Sequence, residues 1–447
     1  MKKAPQSLLL SIFVWGSGQF FIGKQRIKGL LFFLMQAIVV GVELNTGYWV
    51  ELISAQQLSE FQMRLHGGFF TKGIWGLITL GEVPGAKGGD HSMMLMITGI
   101  IAAMLLIIIG LIYVWNLKDA YATGKLIDEK QTYISSKDYF KSLYETKFEY
   151  IVLSPIVLAV LFISIMPILF SILTAFTSYS AGNLPPAKLV DWVGFENFFK
   201  LFTVPIWSST FFGVLQWTLI WTVAATLSTY FLGMVQALIL NNQYVKCKSM
   251  FRTILILPWV VPSLISLLVF RNVFNGQFGP LNQFLLESGL IASRIPFLTD
   301  PMMAKITILL VNLWLGFPSA MLMISGVLSN MDPSMYEAAQ LDGATSAQEF
   351  RYITLPLLLK VTMPLLVMSF AFNFNNFGAV FFLTEGGPAN PNYQFAGHTD
   401  ILISWIYKLT MDNQMYNMAS VMSILIFIVI GSVSYWNFKN TTSFKEV

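Results

Sequence analysis

The chain has 447 residues, 55% of them hydrophobic and only 11% charged, with a mean hydropathy of +0.65 and a formal net charge of +4. Soluble domains carry about 25% charged residues, so a water-soluble globule is excluded and the long apolar runs assign the chain to a bilayer. One cysteine, Cys247, rules out an intramolecular disulfide, and His66, His91 and His398 are scattered without ligand spacing, so neither a metal nor redox chemistry is expected.

The first residues, MKKAPQSLLLSIFVWGSGQFF, imitate a signal peptide, but no small-residue cleavage site follows and Lys24 and Arg26 come next, so the segment is expected to be retained. Its apolar part, Ser7 to Ile22, is short for a crossing and predicts an interfacial or re-entrant helix, with a ninth span as the lesser alternative. Gly18 to Lys24, GQFFIGK, has the spacing of a phosphate-binding loop. Gln25 stands where the magnesium-holding hydroxyl belongs and no strand precedes it, so the match is chance.

Apolar runs long enough to span follow at 27–44, 93–115, 150–176, 211–240, 252–271, 305–328, 362–384 and 417–437. Lipid-exposed backbone must satisfy its own hydrogen bonds, so the runs predict an all-α polytopic membrane protein with about eight transmembrane helices. Residues 1–149 form an N-terminal region of the interfacial helix, two spans and a mixed-charge linker from Asn116 to Glu149, and residues 150–447 form a six-span core. Within the outer loop Thr177–Thr210, Pro185 and Pro186 mark a turn and Gly194 to Phe202 predicts a short amphipathic helix on the surface. No acidic or basic residue lies well inside a span; Lys28, Glu43 and Arg271 sit at edges, which argues against a proton-coupled transporter. Paired carboxylates, a Ser-His-Asp set and a Cys-His cluster are all missing from any plausible pocket, so no catalysis is expected.

The polarity inside the spans is uncharged. SFAFNFNNF places Ser369, Phe372, Asn373 and Asn376 at spacings of three and four, hence on one helical face. VNLWLGFPSA places Asn312, Gly316 and Ser319 on one face, flanked by Trp314 and Phe317, with Gly316 and Pro318 loosening the helix. Amides and hydroxyls beside aromatic rings suit a sugar, whose hydroxyls need donors and acceptors and whose C–H faces pack on flat rings. Asn and Ser also glue helix to helix in membranes, and the residues alone leave both readings open.

Between two spans lies a polar sentence, EAAQLDGATSAQEFRYITLPLL, from Glu337 to Leu358. It predicts two short helices: Asp332 caps the first, with Pro333 in its first turn; Gly343 ends it in a left-handed conformation; Thr345 or Ser346 caps the second; Pro356 ends that helix or opens the next. The segment resembles the EAA loop of ABC importer permeases, through Glu337, Ala338, Ala339, Asp342, Gly343, Ala344, Ile353, Leu355 and Pro356. That resemblance implies a type I permease fold and a loop, 332–358, that docks into an ATP-hydrolysing subunit. NLWLGFP at Asn312 to Pro318, SFAFNFNNF, and GGP at Gly386 to Pro388 followed by GHTDILISWIYKL resemble the MalF-type permeases of maltose and maltodextrin importers. In that family these motifs hold the sugar midway across the membrane, which implies substrate-binding roles for Asn312, Trp314, Leu315, Gly316, Ser369, Phe372 and Asn373, with Ser319 and Asn376 on the same faces.

The implied partners are a second, MalG-like permease, two ATP-binding subunits, an extracellular solute-binding protein, an oligosaccharide and the lipid bilayer, with no nucleic acid and no cofactor of the chain's own, since ATP is used by the partner. Other sugars or polyols, or a self-contained channel or anchor, are the alternatives. Two departures stand out. The large outer domain that some members insert after the third span is replaced by the Thr177–Thr210 loop, and Ser319 stands where the maltose-specific pattern has a tyrosine. With the EAA loop inside, 18 of the 27 Lys and Arg residues fall in inner segments, which predicts a plasma-membrane protein with both termini cytoplasmic.

Overall fold

A computed structural model describes residues 2–47, 67–85, 89–130, 133–242 and 244–440; His66, and three of the Lys and Arg residues counted above, Arg64, Lys87 and Lys445, lie outside these ranges. The described residues are mostly helical and contain no β-strand, only isolated bridges. They form two compact units, Met1–Phe195 and Glu196–Val447. The third expected span packs with the N-terminal helices in the first of these units.

The first unit opens with α1, Lys3–Phe13. Eleven residues reach only about 16 Å at 1.5 Å per residue, too short to cross, in keeping with an interfacial helix. A wide turn over Gly18–Ile22, closed by Gly23 N–H on the Gly18 carbonyl at 3.0 Å, returns the chain into α2, Arg26–Thr46. A short helix that the sequence did not suggest, α3, Phe69–Thr79, is capped from α2, where Glu43 Oε2 accepts Phe70 N–H at 2.8 Å. Helix α4, Ser92–Lys130, runs well past the apolar end expected near 115 and so carries Asp119, whose carboxylate meets Lys28 Nζ at 2.6 Å. Gln19 Nε2 donates to the Asn116 carbonyl at 3.0 Å and to Asp119 at 3.1 Å, tying the N-terminal hairpin to α4. Helix α5, Ser136–Val160, passes through a widened turn at Leu161–Ile165, beyond Pro155, into α6, Met166–Thr174. Leu161, Met166, Leu169 and Leu173 pack on Leu80, Met93, Met96 and Ile100, which is why this span belongs to the first unit.

The second unit begins with α7, Glu196–Thr203, the short amphipathic helix expected in the outer loop. Helix α8, Pro205–Asn241, then lies along α12, Pro301–Ser329. Trp217, Trp221 and Ala225 meet Ile308 and Val311 toward one end, and Tyr230, Met234 and Leu240 meet Met321, Ile324 and Leu328 toward the other. Between them α9, Lys248–Val260, and α10, Ser263–Val273, meet at 86°, where one span was expected over 252–271. Pro262 has no N–H to continue the ladder and pushes Val261 into an extended conformation, ψ 130°, so the run breaks there. A short α11, Pro280–Glu287, precedes α12.

Helix α13, Pro333–Leu341, and α14, Ser346–Glu349, form the polar loop. Of the two roles expected for Pro356, the second holds: α14 ends earlier, at Glu349, and Pro356 stands in the first turn of the next helix. A widened turn at Phe350–Thr354 absorbs the missing N–H and feeds α15, Leu355–Phe374, so Ser346–Thr384 reads as one long apolar rise. That rise is itself interrupted at Asn375 and Asn376 before α16, Phe377–Thr384. Helices α17, Leu402–Tyr407, and α18, Tyr416–Asn440, complete the unit. Among the described residues six helices are long and apolar enough to cross alone, the bent pair makes a seventh, and the eighth expected run falls on α18, whose apolar stretch Tyr416–Ser432 is shorter.

Candidate functional site

Helices α8, α12 and α15 enclose a recess of about 360 Å³ lined by Thr226, Thr229, Tyr230, Gly316, Ser319, Met368, Ser369 and Phe372, among others. A second recess of about 330 Å³ adjoins it through Gly316, Ser319 and Phe372 and reaches Asn312, Leu315, Asn376 and the α9–α10 break at Pro258–Ser263. Among the described residues no charged side chain lines either recess. The walls therefore offer neutral donors and acceptors and flat apolar surface to whatever enters.

Seven of the nine residues expected at the site come together here. Ser319, which lines both recesses, donates its Oγ–H to the Gly316 carbonyl at 2.8 Å, the back-bond that hydroxyls make in helices. Gly316 is required by close approach: a Cβ would stand 2.8 Å from Cγ2 of Thr229 on α8. Phe372, 70% exposed, borders both recesses and supplies the ring.

Asn376 is not on the α15 face that its spacing predicts. Helix α15 stops at Asn375, and Asn376 caps α16, its Oδ1 accepting Ala379 N–H at 3.2 Å while its Nδ2 donates to Asn312 Oδ1 at 3.2 Å. Adjacent asparagines compete with the helical ladder, and the cap wins. Asn373 and Trp314 line neither recess. Asn373 is buried, its Nδ2 donating to Thr226 Oγ1 at 3.0 Å and its carbonyl accepting Trp221 Nε1–H at 2.9 Å. Trp314 meets Phe270 edge-on at 5.0 Å.

Sequence reasoning missed the α8 wall. Thr218, Thr222, Thr226 and Thr229 recur at spacings of four, four and three, a buried polar stripe in an apolar helix that could have marked it. It also missed Trp259 and Ser263, which enter only because the span bends.

The second locus is the loop at 332–358. Asp332 Oδ1 accepts Ser334 N–H at 2.9 Å, and that bond holds its carboxyl below the usual carboxylate range. Gly343 takes φ +78°, with Gly343 N–H on the Gln340 carbonyl and Ala344 N–H on the Ala339 carbonyl closing α13. Thr345 and Gln348 form the capping box of α14. Glu337, Ala338, Asp342 and Gly343 are exposed, Ala339 and Ala344 half-buried, and Leu341 is 90% exposed. The two short helices thus present one bare leucine and two exposed acids, Glu337 and Asp342, on a polar surface.

Residues 229–440 match the family described as binding-protein-dependent transport system inner membrane component. The chain is 40% identical to the galactooligosaccharides transport system permease protein GanP of Bacillus subtilis (strain 168) over the full length of both. It is 37% identical to the maltodextrin transport system permease protein MdxF of the same organism, covering 84% of this chain and 87% of the other. A crystal structure of a bacterial ABC transporter involved in alginate import shares the fold, with a TM-score of 0.55 at 24% identity over 67% of this chain and 96% of that one. The chain belongs to the binding-protein-dependent transport system inner membrane components and is a permease of an ABC sugar importer.

Proposed function

We propose that the chain forms half of a translocation path for neutral oligosaccharides of the maltodextrin or galactooligosaccharide kind, with the sugar held in the paired recesses. The observation that carries this reading is their lining: Ser319, Ser369, Thr226, Asn312 and Asn376 offer hydroxyls and amides, Phe372, Tyr230 and Trp259 offer rings, and no charge is present. Two adjoining chambers joined at Ser319, where the maltose-specific pattern carries a tyrosine, favour a chain longer than a disaccharide. The names of GanP and MdxF supply the two sugar classes. A second, MalG-like permease closes the open side, and a solute-binding protein delivers the sugar from outside.

The EAA loop, through Glu337, Asp342 and Leu341, docks one of two ATPase subunits in the cytoplasm, where both termini also lie. The permease hydrolyses nothing. Closure of the ATPase pair on ATP moves α13 and α14, and the path turns outward because that state binds ATP more tightly than the inward one. Reconstitution of the permease pair, ATPase and binding protein in liposomes tests this. Uptake of labelled maltodextrins or galactooligosaccharides should require every component and ATP. Uptake without the ATPase would establish a self-contained channel, and transport of a polyol or monosaccharide in preference to both oligosaccharides would overturn the substrate.

A further inference from the structure

The N-terminal hairpin is packed inside out for a helix in water. Helix α1 turns its small residues, Ala4, Ser7 and Ser11, into the unit, and Gly124 of α4 lies so close that a Cβ there would stand 2.5 Å from the Cα of Ala4. Its large side chains, Leu9, Leu10 and Phe13, face out, Phe13 with 79% of its surface exposed, and Phe21 in the following turn is exposed as well. A soluble amphipathic helix buries its large apolar side chains; the reverse order suits acyl chains.

The start of α1 carries positive charge instead. Lys3 Nζ donates to Tyr133 Oη at 3.2 Å, and Lys24 Nζ, arriving from the turn before α2, stands 4.4 Å from the centre of the same ring. The Lys3 ammonium holds the Tyr133 phenol below its ordinary range. Asp128 is engaged with backbone: its two oxygens accept the N–H groups of Lys3 and Ala4 at 2.9 and 3.0 Å, capping α1. Among the described residues no carboxylate forms an ion pair with Lys24. Two ammonium groups converging on one half-exposed phenol are complementary to a phosphate, which offers several acceptor oxygens to such donors. Helix α2 begins its apolar span at Arg26, so Lys24 stands where hydrocarbon gives way to headgroups.

We propose that Lys3, Lys24 and Tyr133 together with the exposed apolar side of α1 form a binding site for an anionic phospholipid, its phosphate between the two ammonium groups and its chains along Leu9, Leu10 and Phe13. The buried bonds of Gln19 and Lys28 to α4 fix the hairpin, so an occupied site stabilises the first unit by mass action.

The test places the assembled importer in nanodiscs of phosphatidylcholine with rising fractions of phosphatidylglycerol, following the thermal unfolding midpoint and the phosphatidylglycerol retained on purification. The wild-type midpoint should rise with phosphatidylglycerol, less so at high salt. Lys3→Gln/Lys24→Gln should need about 30-fold more of that lipid for the same rise, at roughly fivefold per charge near a surface. Lys24→Asn, which suits the left-handed backbone there, serves alone if the double variant does not fold, and should need about fivefold more. Lys125→Gln/Lys141→Gln, whose ammonium groups already face Glu129 and Glu145, should follow the wild type. A Lys24→Asn curve that overlays the wild type overturns the site. An equal rise produced by inorganic phosphate in pure phosphatidylcholine overturns the lipid.

Discussion

Phe372 and Asn373 are sequence neighbours with opposite environments, and substituting each by alanine separates a sugar site from helix glue. Burying a phenylalanine side chain fully contributes about 1.5–3 kcal/mol. Phe372 is 70% exposed, so less than about 1 kcal/mol of that stabilises the fold and roughly 1–2 kcal/mol is left for a ligand, which is about 5- to 30-fold in affinity. Asn373 is 6% exposed and its amide is engaged by Thr226 at 3.0 Å. Its loss removes a helix–helix hydrogen bond of about 0.5–1.5 kcal/mol, nearer the low end in a membrane. Phe372→Ala should therefore keep the unfolding midpoint of the purified complex and weaken uptake of oligosaccharides by about 5- to 30-fold, most for those long enough to reach both recesses. Asn373→Ala should lower the midpoint and leave the ranking of substrates unchanged. The assay is initial uptake across a ladder of chain lengths at matched membrane abundance, with calorimetry on the same samples. Phe372→Ala with an unaltered ranking and a lowered midpoint would refute the assignment of its ring to the sugar.

Other outcomes follow from the same geometry. Gly343→Val meets no side chain but forces a branched residue to φ +78°, at about 1–3 kcal/mol, so α14 should be misplaced and ATP hydrolysis uncoupled from uptake while the protein still inserts; a normal ratio of sugar to ATP would count against docking there. Gly316→Leu drives a side chain into Thr229 and both recesses and should lower stability by about 1–3 kcal/mol and abolish uptake, read by calorimetry and transport together. With Cys247→Ser as background, cysteines at positions 183 and 392 should react with an impermeant reagent from outside and those at 135 and 346 should not; two reversals would invert the topology. The depressed Asp332 carboxyl contributes its cap above its ordinary titration range and loses it as pH falls through its lowered value, so exchange protection of the Ser334 amide should stay flat from neutral pH to about 5 and fall below the carboxylate range.

Much of the architecture is legible because it is local. The caps Asp332 and Thr345, the left-handed Gly343 and the apolar runs each follow from a residue and its near neighbours, and each stands where the sequence puts it. The interruptions are not local. Pro262 bends its span by 86° while Pro364 and Pro318 sit inside continuous helices, so a proline in an apolar run does not by itself say whether the run will break. Asn376, shifted from helix face to cap, also donates to Asn312, a partner 64 positions away that its spacing does not reveal. Asn373 illustrates the same point: its spacing directs it to the recess face, yet Thr226 and Trp221 from α8 hold it in the wall.

The unbroken rise from the capping box at Thr345 to Phe372 also acts as a push-rod. At about 1.5 Å per residue the distance from Ser346 to Phe372 is about 40 Å, and a helix of that length resists stretch and compression. A widened turn at Phe350–Thr354 makes a soft joint next to the loop rather than next to the recess. A partner that tilts α14 is therefore given freedom to re-aim at the near end, while displacement along the axis arrives at the Phe372 ring almost undiminished. The proposed docking loop and the ring that borders both recesses thus lie at opposite ends of one rod, so axial displacement is passed along it while tilt is taken up at the joint.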